Sequence, residues 1–248
     1  RRRTGSTKLC KSLGSYPVCH LRRVSFTTGK HRCGNLAEQI GTTSAMNTKT
    51  DDTDYRSRLD KAFDHFDRAN AEDPNRILVG GTSQAKELVY ATRMTARLKH
   101  FAPDASETLK LAVRCQHIRR WTIPRSRFPA GRTGYRKWRK HLATFHADTA
   151  GDLLRQLDYD ETIIQQVGRL LRKENLKSDA EVQTLEDVAC LVFLEHYLAE
   201  FVTSHNETKL IDILRKTWRK MSSAGHSAAA ELKLDSHLNS LIEKALSG

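Results

Sequence analysis

The stretch from Arg119 to Lys140 carries the densest set of side chains that could do chemistry. It holds nine basic residues in 22 positions and no acid. Such a density of like charge destabilises a folded chain by self-repulsion unless an anion neutralises it. A guanidinium matches the oxygens of phosphate bidentately, so the stretch predicts a phosphate site. The side chains expected to hold the phosphate are Arg119, Arg120, Arg125 and Arg139.

Aromatic side chains are interleaved with these cations. Rings beside a basic stretch can stack on the base of a nucleotide or of RNA, which predicts stacking roles for Trp121, Tyr135 and Trp138. The alternative is that these rings anchor the core, as large rings at helix ends usually do. The residues leave open whether the partner is a phosphate-bearing small molecule or RNA.

Amphipathic helices must position this stretch. From about residue 54, apolar residues recur at spacings of three and four, the helical pattern, and no segment has the alternation of a strand. Prolines and glycines make the basic stretch a loop between two helices. The fold class expected is all-α, a single-domain helical bundle over residues 51–248. The predicted helices span 55–70, 84–100, 104–120, 135–157, 160–174, 184–204, 206–222 and 235–247.

Two of these segments differ in where they should lie. The segment 184–204 is apolar over most of its circumference, which predicts a central helix. The segment 206–222 alternates apolar with basic residues and should lie outside, with a basic face. The Gly-Gly-Thr at 80–82 predicts a turn followed by a helix start.

The first 50 residues form a basic leader of different composition. Residues 1–45 contain nine Lys or Arg, eleven Ser or Thr and a single acid, so they cannot pack a core and are expected to be disordered. This composition is typical of a mitochondrial or chloroplast transit peptide and predicts one of those locations. The alternative is that Met46 is an ordinary start preceded by upstream sequence, in which case the protein is expected in the cytoplasm.

The overall composition excludes several classes of protein. The formal charge is +13 and 38% of residues are hydrophobic, yet no run approaches the roughly 18 apolar residues of a membrane-spanning helix. No membrane partner is therefore expected. Five widely spread cysteines do not predict a disulfide framework, and Cys115 and Cys190 are expected to be small core residues.

A series of short motifs, in order along about residues 54–247, resembles the family catalogued as domain of unknown function 4202. The motifs include Gln116-His117-Ile118-Arg119-Arg120-Trp121, Trp138-Arg139, His146-Ala147, Leu185-Glu186-Asp187 and Arg215-Lys216-Thr217-Trp218-Arg219-Lys220-Met221-Ser222. Some members of that family bear a glutamyl-tRNA synthetase label. Lys220-Met221-Ser222-Ser223 is similar to part of a loop of class I synthetases, but no pattern for their parallel-stranded nucleotide-binding core is present. A synthetase-related protein is therefore the most remote alternative.

The chain is also similar to the HD superfamily of all-α, metal-dependent phosphohydrolases, which makes the expected bundle HD-like. In that superfamily successive helices supply a His, a His-Asp pair and an Asp to a divalent metal. The resemblance assigns these roles to His117, His146 and Asp187, with Mn, Fe or Zn as the metal. Ala147 stands where the paired Asp would be, which weakens the site or removes a second metal.

The function implied by this similarity is a metal-dependent phosphohydrolase acting on a nucleotide or other phosphoester. The metal would activate a water molecule, Glu186 or Glu195 would act as general base, and Lys173 would contact the phosphate. The alternative is a non-catalytic RNA- or nucleotide-binding module in which the histidines are structural. A related alternative pairs Asp187 with an arginine of the loop, in a buried charge network without metal.

Overall fold

The computed structural model describes residues 51–176 and 178–247, and the predicted leader, residues 1–50, lies outside them. These described residues are mostly helical, which confirms the all-α prediction. The elements in chain order are α1 (Asp51–Ala71), β1 (Arg76–Val79), β2 (Thr82–Ala85), α2 (Lys86–Phe101), α3 (Glu107–Cys115), α4 (Gly131–Arg155), α5 (Glu161–Arg172), α6 (Ala180–His196), α7 (Leu198–Ser204), α8 (Glu207–Trp218), α9 (Ser223–Ala230) and α10 (Ser236–Leu246).

A short β-hairpin lies between α1 and α2, where the sequence pattern predicts no strand. Strands β1 and β2 pair antiparallel, with Val79 opposite Thr82. Gly80 and Gly81 both have positive φ, 55° and 80°, which is the backbone that a two-residue hairpin turn of matching twist requires. The prediction of a turn at these glycines was right, but the turn joins two four-residue strands and α2 begins only at Lys86.

The basic stretch is more helical than predicted. Helix α3 begins after Ser106, whose hydroxyl accepts a hydrogen bond from the Leu109 amide at 3.1 Å, and it ends at Cys115. Two 3₁₀ turns follow, Arg120–Thr122 and Arg125–Arg127. Helix α4 then begins at Gly131, four residues before the predicted start. Arg139 and the rings of the second half of the stretch are therefore fixed on a helix.

Helix α6 lies at the centre of the bundle, as its apolar circumference predicts. Leu185, Leu191 and Leu194 have at most 2% of their surface exposed. The predicted helix 184–204 is in fact two helices, because the backbone leaves the helical region at Tyr197 and α7 starts at Leu198. Cys115 and Cys190 are both buried free thiols, which confirms their assignment to the core. Among the described helices, none is long and apolar enough to cross a bilayer.

A corner between α8 and α9 replaces the end of the predicted helix 206–222. Helix α8 stops at Trp218, and α9 starts after Ser222, whose hydroxyl accepts a hydrogen bond from the Gly225 amide at 3.0 Å. Lys220 and Met221 lie in this corner with only 5% and 7% of their surfaces exposed. Part of the basic face expected outside therefore points into the core.

Candidate functional site

Helices α2 and α4, with the segment between α3 and α4, bring titratable side chains together. The central cluster, as named here, consists of Glu87 on α2, His117 after α3, Arg120 on the first 3₁₀ turn, and Arg139 and His146 on α4. Glu87, His117 and His146 are buried, while Arg120 and Arg139 are half-buried. The two arginines are therefore the more exposed members of the cluster.

The ring of His117 is held on three sides. It stacks on Tyr90 with 4.0 Å between ring centroids, and the Tyr90 hydroxyl donates to Gln116 at 2.7 Å. The Nε2 atom lies 3.0 Å from Nη1 of Arg120. Arginine only donates, so Nε2 must accept and the proton of the neutral ring sits on Nδ1. Nδ1 lies 3.3 Å from Oε2 of Glu87, which fixes this tautomer.

His146 has the same tautomer but leaves one nitrogen open. Its Nδ1 lies 2.9 Å from the carbonyl oxygen of Ile118, which can only accept, so Nδ1 carries the proton. The buried Nε2 makes no hydrogen bond within the described part of the chain. A buried acceptor without a donor is unfavourable, so this lone pair is available to a ligand or to a water molecule. The rings of His117 and His146 are 5.9 Å apart.

The electrostatics of the cluster are dominated by positive charge. Burial, with the neighbouring Arg139, lowers the pKa of the Arg120 guanidinium. Burial and the same two arginines lower the pKa of His146 to about 3. Burial, Arg120, His146, Arg139 and Lys173 together hold the pKa of His117 well below its usual range. Both imidazoles are therefore neutral at pH 7, beside two guanidiniums that repel each other.

Glu87 is the acid of the central cluster, and the sequence reasoning missed it. Burial raises the pKa of this carboxyl to about 7, against the opposing effect of Arg120. A group with a pKa near 7 exchanges protons readily at neutral pH. The signal was present in the sequence, because Glu87 occupies an apolar position of α2, in line with the buried Tyr90, Ala91, Met94 and Leu98.

A second buried group lies beside the cluster and is called here the Glu186 triad. Lys173 and Lys220 both donate to the Glu186 carboxylate, Lys220 at 3.2 Å. Burial alone would raise the pKa of Glu186, but the two ammonium groups outweigh it and hold the pKa well below its usual range. A carboxylate that stays ionised in this way is a poor general base. Lys173 also lowers the pKa of His117, so the triad adds to the positive potential of the cluster.

Asp187 is engaged elsewhere. Its carboxylate accepts from the Ser222 amide at 2.8 Å, from the Ser222 hydroxyl at 2.6 Å and from Gln183 at 3.1 Å. The start of α9 packs so closely here that a Cβ at Gly225 would lie 2.6 Å from Oδ1 of Asp187. Asp187 therefore anchors the α8–α9 corner, rather than pairing with an arginine of the basic stretch.

The donor set does not fit the divalent metal that the HD resemblance implies. Within the described residues, no three His, Cys, Asp or Glu side chains are placed to hold a metal ion. The lone pair of His117 already faces the Arg120 guanidinium, whose charge opposes a cation at that nitrogen. The structure brings His117 and His146 together but does not add Asp187 to them as a third ligand.

Two of the four arginines predicted to hold phosphate lie outside the central cluster. Arg119 donates to both oxygens of Glu72 at 3.0 Å. Arg125 donates to the carbonyl oxygens of Phe128, Pro129 and Gly131 at 2.7 to 3.3 Å, which folds the chain into the start of α4. The structure thus leaves Arg120 and Arg139 as the arginines beside the histidines.

The predicted stacking residues pack largely against the protein. Trp138 is buried, its Nε1 donates to the Ile123 carbonyl at 2.9 Å, and the Arg120 guanidinium lies over its ring at 4.9 Å. Tyr135 packs against Trp138 with 5.8 Å between centroids. Trp121 is half-buried on the first 3₁₀ turn. Trp138 therefore anchors the core, as the alternative interpretation expects, and its ring packs against the Arg120 guanidinium.

Glu195, one of the two predicted general bases, lies at the surface on the last turn of α6. It pairs with Arg97 and lies 3.4 Å from Nε2 of His196. Neither neighbour belongs to the central cluster. Of the acids considered, Glu87 alone combines contact with His117 and a pKa near neutrality.

Comparison with known proteins identifies a family and nothing finer. A family model described as Domain of unknown function (DUF4202) matches residues 60–242. No curated protein matches the chain, and no solved structure matches it. The expected similarity to HD-superfamily phosphohydrolases and the glutamyl-tRNA synthetase label are not shown by these comparisons. The matched residues include the central cluster and the Glu186 triad.

Proposed function

The chain belongs to this family of unknown function, and from that premise we propose that it binds a phosphate-bearing small molecule at the central cluster and hydrolyses its phosphoester. The observation that carries the proposal is the placement of Arg120 and Arg139 together, beside two histidines that their charge helps to keep neutral. Two adjacent guanidiniums raise the free energy of the unliganded protein through repulsion. An anion between them would relieve that repulsion.

Phosphate fits the cluster better than a simple carboxylate does. A phosphate monoester carries up to two charges and several acceptor oxygens, enough for two forked guanidiniums at once. The open lone pair on His146 Nε2 complements this set, because it accepts from a protonated phosphate oxygen, a ligand hydroxyl or a water molecule. Arg120 and Arg139 would bind and orient the phosphoryl group, and His146 would hold a neighbouring donor.

The pair formed by Glu87 and His117 supplies the acid–base chemistry of the proposal. Glu87 keeps the proton of His117 on Nδ1, so that Nε2 presents a lone pair. In the proposed complex Arg120 turns to the phosphate, whose negative charge favours the imidazolium form of His117. Nε2 then accepts a proton from the attacking water while Glu87 stabilises the imidazolium. The water oxygen forms a bond to phosphorus as the bond from phosphorus to the ester oxygen breaks. The leaving oxygen takes up a proton from the imidazolium or from solvent, so the products are phosphate and an alcohol. No step is assigned to a metal, because the donor set does not fit one.

Replacing Glu87 by Gln tests the catalytic half of the proposal. Gln keeps the shape and an acceptor near Nδ1 but cannot carry the negative charge that stabilises an imidazolium. We expect turnover to fall by about 10²- to 10⁴-fold, the usual contribution of acid–base catalysis. Affinity for inorganic phosphate should be retained. The measurement is phosphate release from a panel of nucleoside monophosphates and sugar phosphates by the full chain, in the presence of a chelator.

The matched control is Glu195→Gln, which removes a surface carboxylate outside the cluster and should leave turnover unchanged. If Glu87→Gln kept full turnover, or if no ester of the panel were hydrolysed, the acid–base assignment would fail. Turnover that required added Mn or Zn would show that the reaction runs through a metal after all.

A further inference from the structure

The outer face of α4 carries a row of cations that the central cluster does not use. The α4 stripe is defined as Arg132, Arg136, Lys137 and Lys140, all exposed to solvent. None of the four forms an ion pair with a described residue, whereas the half-buried Arg119 pairs with Glu72. The stripe faces away from Trp138 and Leu142, which point into the protein.

This arrangement is unfavourable for the helix itself. The first turn of α4, which contains Arg132, lies at the positive end of the helix dipole, where cations are disfavoured, and it contains no acid. Arg132, Arg136 and Lys140 follow one another at intervals of four residues, so each repels the next along one helix face. Both effects lower the stability of the free protein, and both are relieved when a polyanion covers the face.

We propose that the α4 stripe binds the phosphate backbone of a nucleic-acid strand. Side chains four residues apart are separated by about 6 Å along a helix axis, which is similar to the spacing of successive phosphates along a strand. Three cations in such a row can neutralise successive phosphates and release their counterions. This site is separate from the central cluster, whose Arg120 lies on the first 3₁₀ turn and whose half-buried Arg139 lies on α4.

The surface chemistry favours a nucleic acid over a membrane. A helix that binds a lipid surface exposes apolar side chains next to its cations, so that they enter the bilayer. In α4 the apolar side chains Trp138 and Leu142 are buried. The exposed large hydrophobic residues of the described structure are Leu78 and Leu246, and neither lies on α4. The stripe therefore presents charge without apolar side chains beside it, which suits the phosphate backbone of a nucleic acid better than a lipid surface.

The test is binding of a fluorescent 20-nucleotide RNA to the full chain, measured by anisotropy between 50 and 200 mM salt. The variant is the triple substitution Arg132→Gln, Arg136→Gln and Lys140→Gln. Removing three phosphate contacts should reduce the slope of log affinity against log salt by about 2. Because repulsion along the helix is also removed, the melting temperature of the variant should equal or exceed that of the wild type.

The matched control carries Lys99→Gln, Lys209→Gln and Arg219→Gln, exposed cations on or beside other helices. This control loses three positive charges, as the α4 variant does, and both variants keep the basic leader. An effect of net charge alone therefore appears equally in both. The proposal is overturned if the two variants bind RNA equally, if the wild type fails to bind at 50 mM salt, or if acidic vesicles or polyglutamate compete as well as unlabelled RNA. Arg139→Gln should leave the slope of log affinity against log salt unchanged, because Arg139 contacts no phosphate of the strand, and this separates the site from the proposed phosphoester site.

Discussion

Replacing Arg139 by Gln is expected to lower the affinity of the full chain for inorganic phosphate by about 10- to 100-fold. A hydrogen bond to a charged group contributes about 1.5–3 kcal/mol, and each 1.4 kcal/mol corresponds to a factor of ten in affinity. Arg139 lies close enough to Arg120 and both histidines for its charge to lower their pKa values. Isothermal titration with phosphate at constant ionic strength measures the change.

Arg136→Gln is the matched control for this prediction. Arg136 lies on the same helix turn as Arg139, is exposed, and forms no ion pair with a described residue. The substitution removes the same charge from almost the same place, so long-range electrostatics change equally. Affinity for inorganic phosphate should stay within about twofold of the wild type. Equal losses in the two variants would mean that phosphate responds only to the general positive field of α4.

Replacing Glu186 by Gln is expected to lower the free energy of unfolding by about 3–5 kcal/mol, the usual effect of removing one partner from a buried ion pair. Glu186 is the acceptor that Lys173 and Lys220 share, and Lys220 has 5% of its surface exposed. The variant would leave two ammonium groups in a buried region without their carboxylate. Urea unfolding of the variant and the wild type measures the difference.

A second variant tests whether charge, and not shape, causes this loss. The triple substitution Lys173→Met, Glu186→Leu and Lys220→Met removes all three charges, so it should recover most of the stability, as apolar replacements of buried ion pairs often do. A Glu186→Gln protein as stable as the wild type would show that the triad contributes little.

The contribution of the Glu186 triad to the free energy of unfolding should fall at acidic pH. The pKa of Glu186 is lowered in the folded protein, so its stabilising contribution is present above the pKa of the unfolded glutamate, about 4.3. That contribution is lost as pH falls below this value towards the folded pKa. The difference in unfolding free energy between the wild type and the Glu186→Gln variant should therefore shrink on acidification.

The helices followed from the sequence because burial repeats with the helical period. The apolar circumference of the segment 184–204 predicted a central helix, and Leu185, Leu191 and Leu194 are buried on α6. The hairpin could not be predicted in this way, because a strand of four residues is too short to show a period. Only two positions on each strand are even partly buried. The glycines gave the turn but not the strands that it joins.

Part of the candidate site followed from residue type and part did not. Arg120 and Arg139 were predicted from the density of positive charge, but the same argument selected Arg119 and Arg125, which a carboxylate and three carbonyls engage. Residue type alone does not show which arginine lies beside the histidines, because that depends on how the helices pack. Glu87 was missed because a single acid on an amphipathic helix usually faces solvent.

Asp187 shows the limit of carrying a role over from a resemblance. Its order along the chain relative to His117 and His146 fits a metal ligand, but its oxygens hold Ser222 and Gln183. Order along the sequence does not fix direction in space: on α6, Glu186 points towards two lysines and its neighbour Asp187 towards the start of α9.

The most direct test of the central claim is nitrogen-15 NMR of the histidine rings during titration of the full chain with inorganic phosphate at pH 7. Assignment would use single histidine replacements. We predict that free His117 and His146 are neutral with the proton on Nδ1, and that phosphate shifts both signals to a common saturation point. His226, which stacks on Trp218 and contacts the Trp218 carbonyl, serves as the reference and should not move. If His117 and His146 kept their free positions at phosphate concentrations that saturate binding, the phosphate would lie elsewhere and the account of the central cluster would be contradicted.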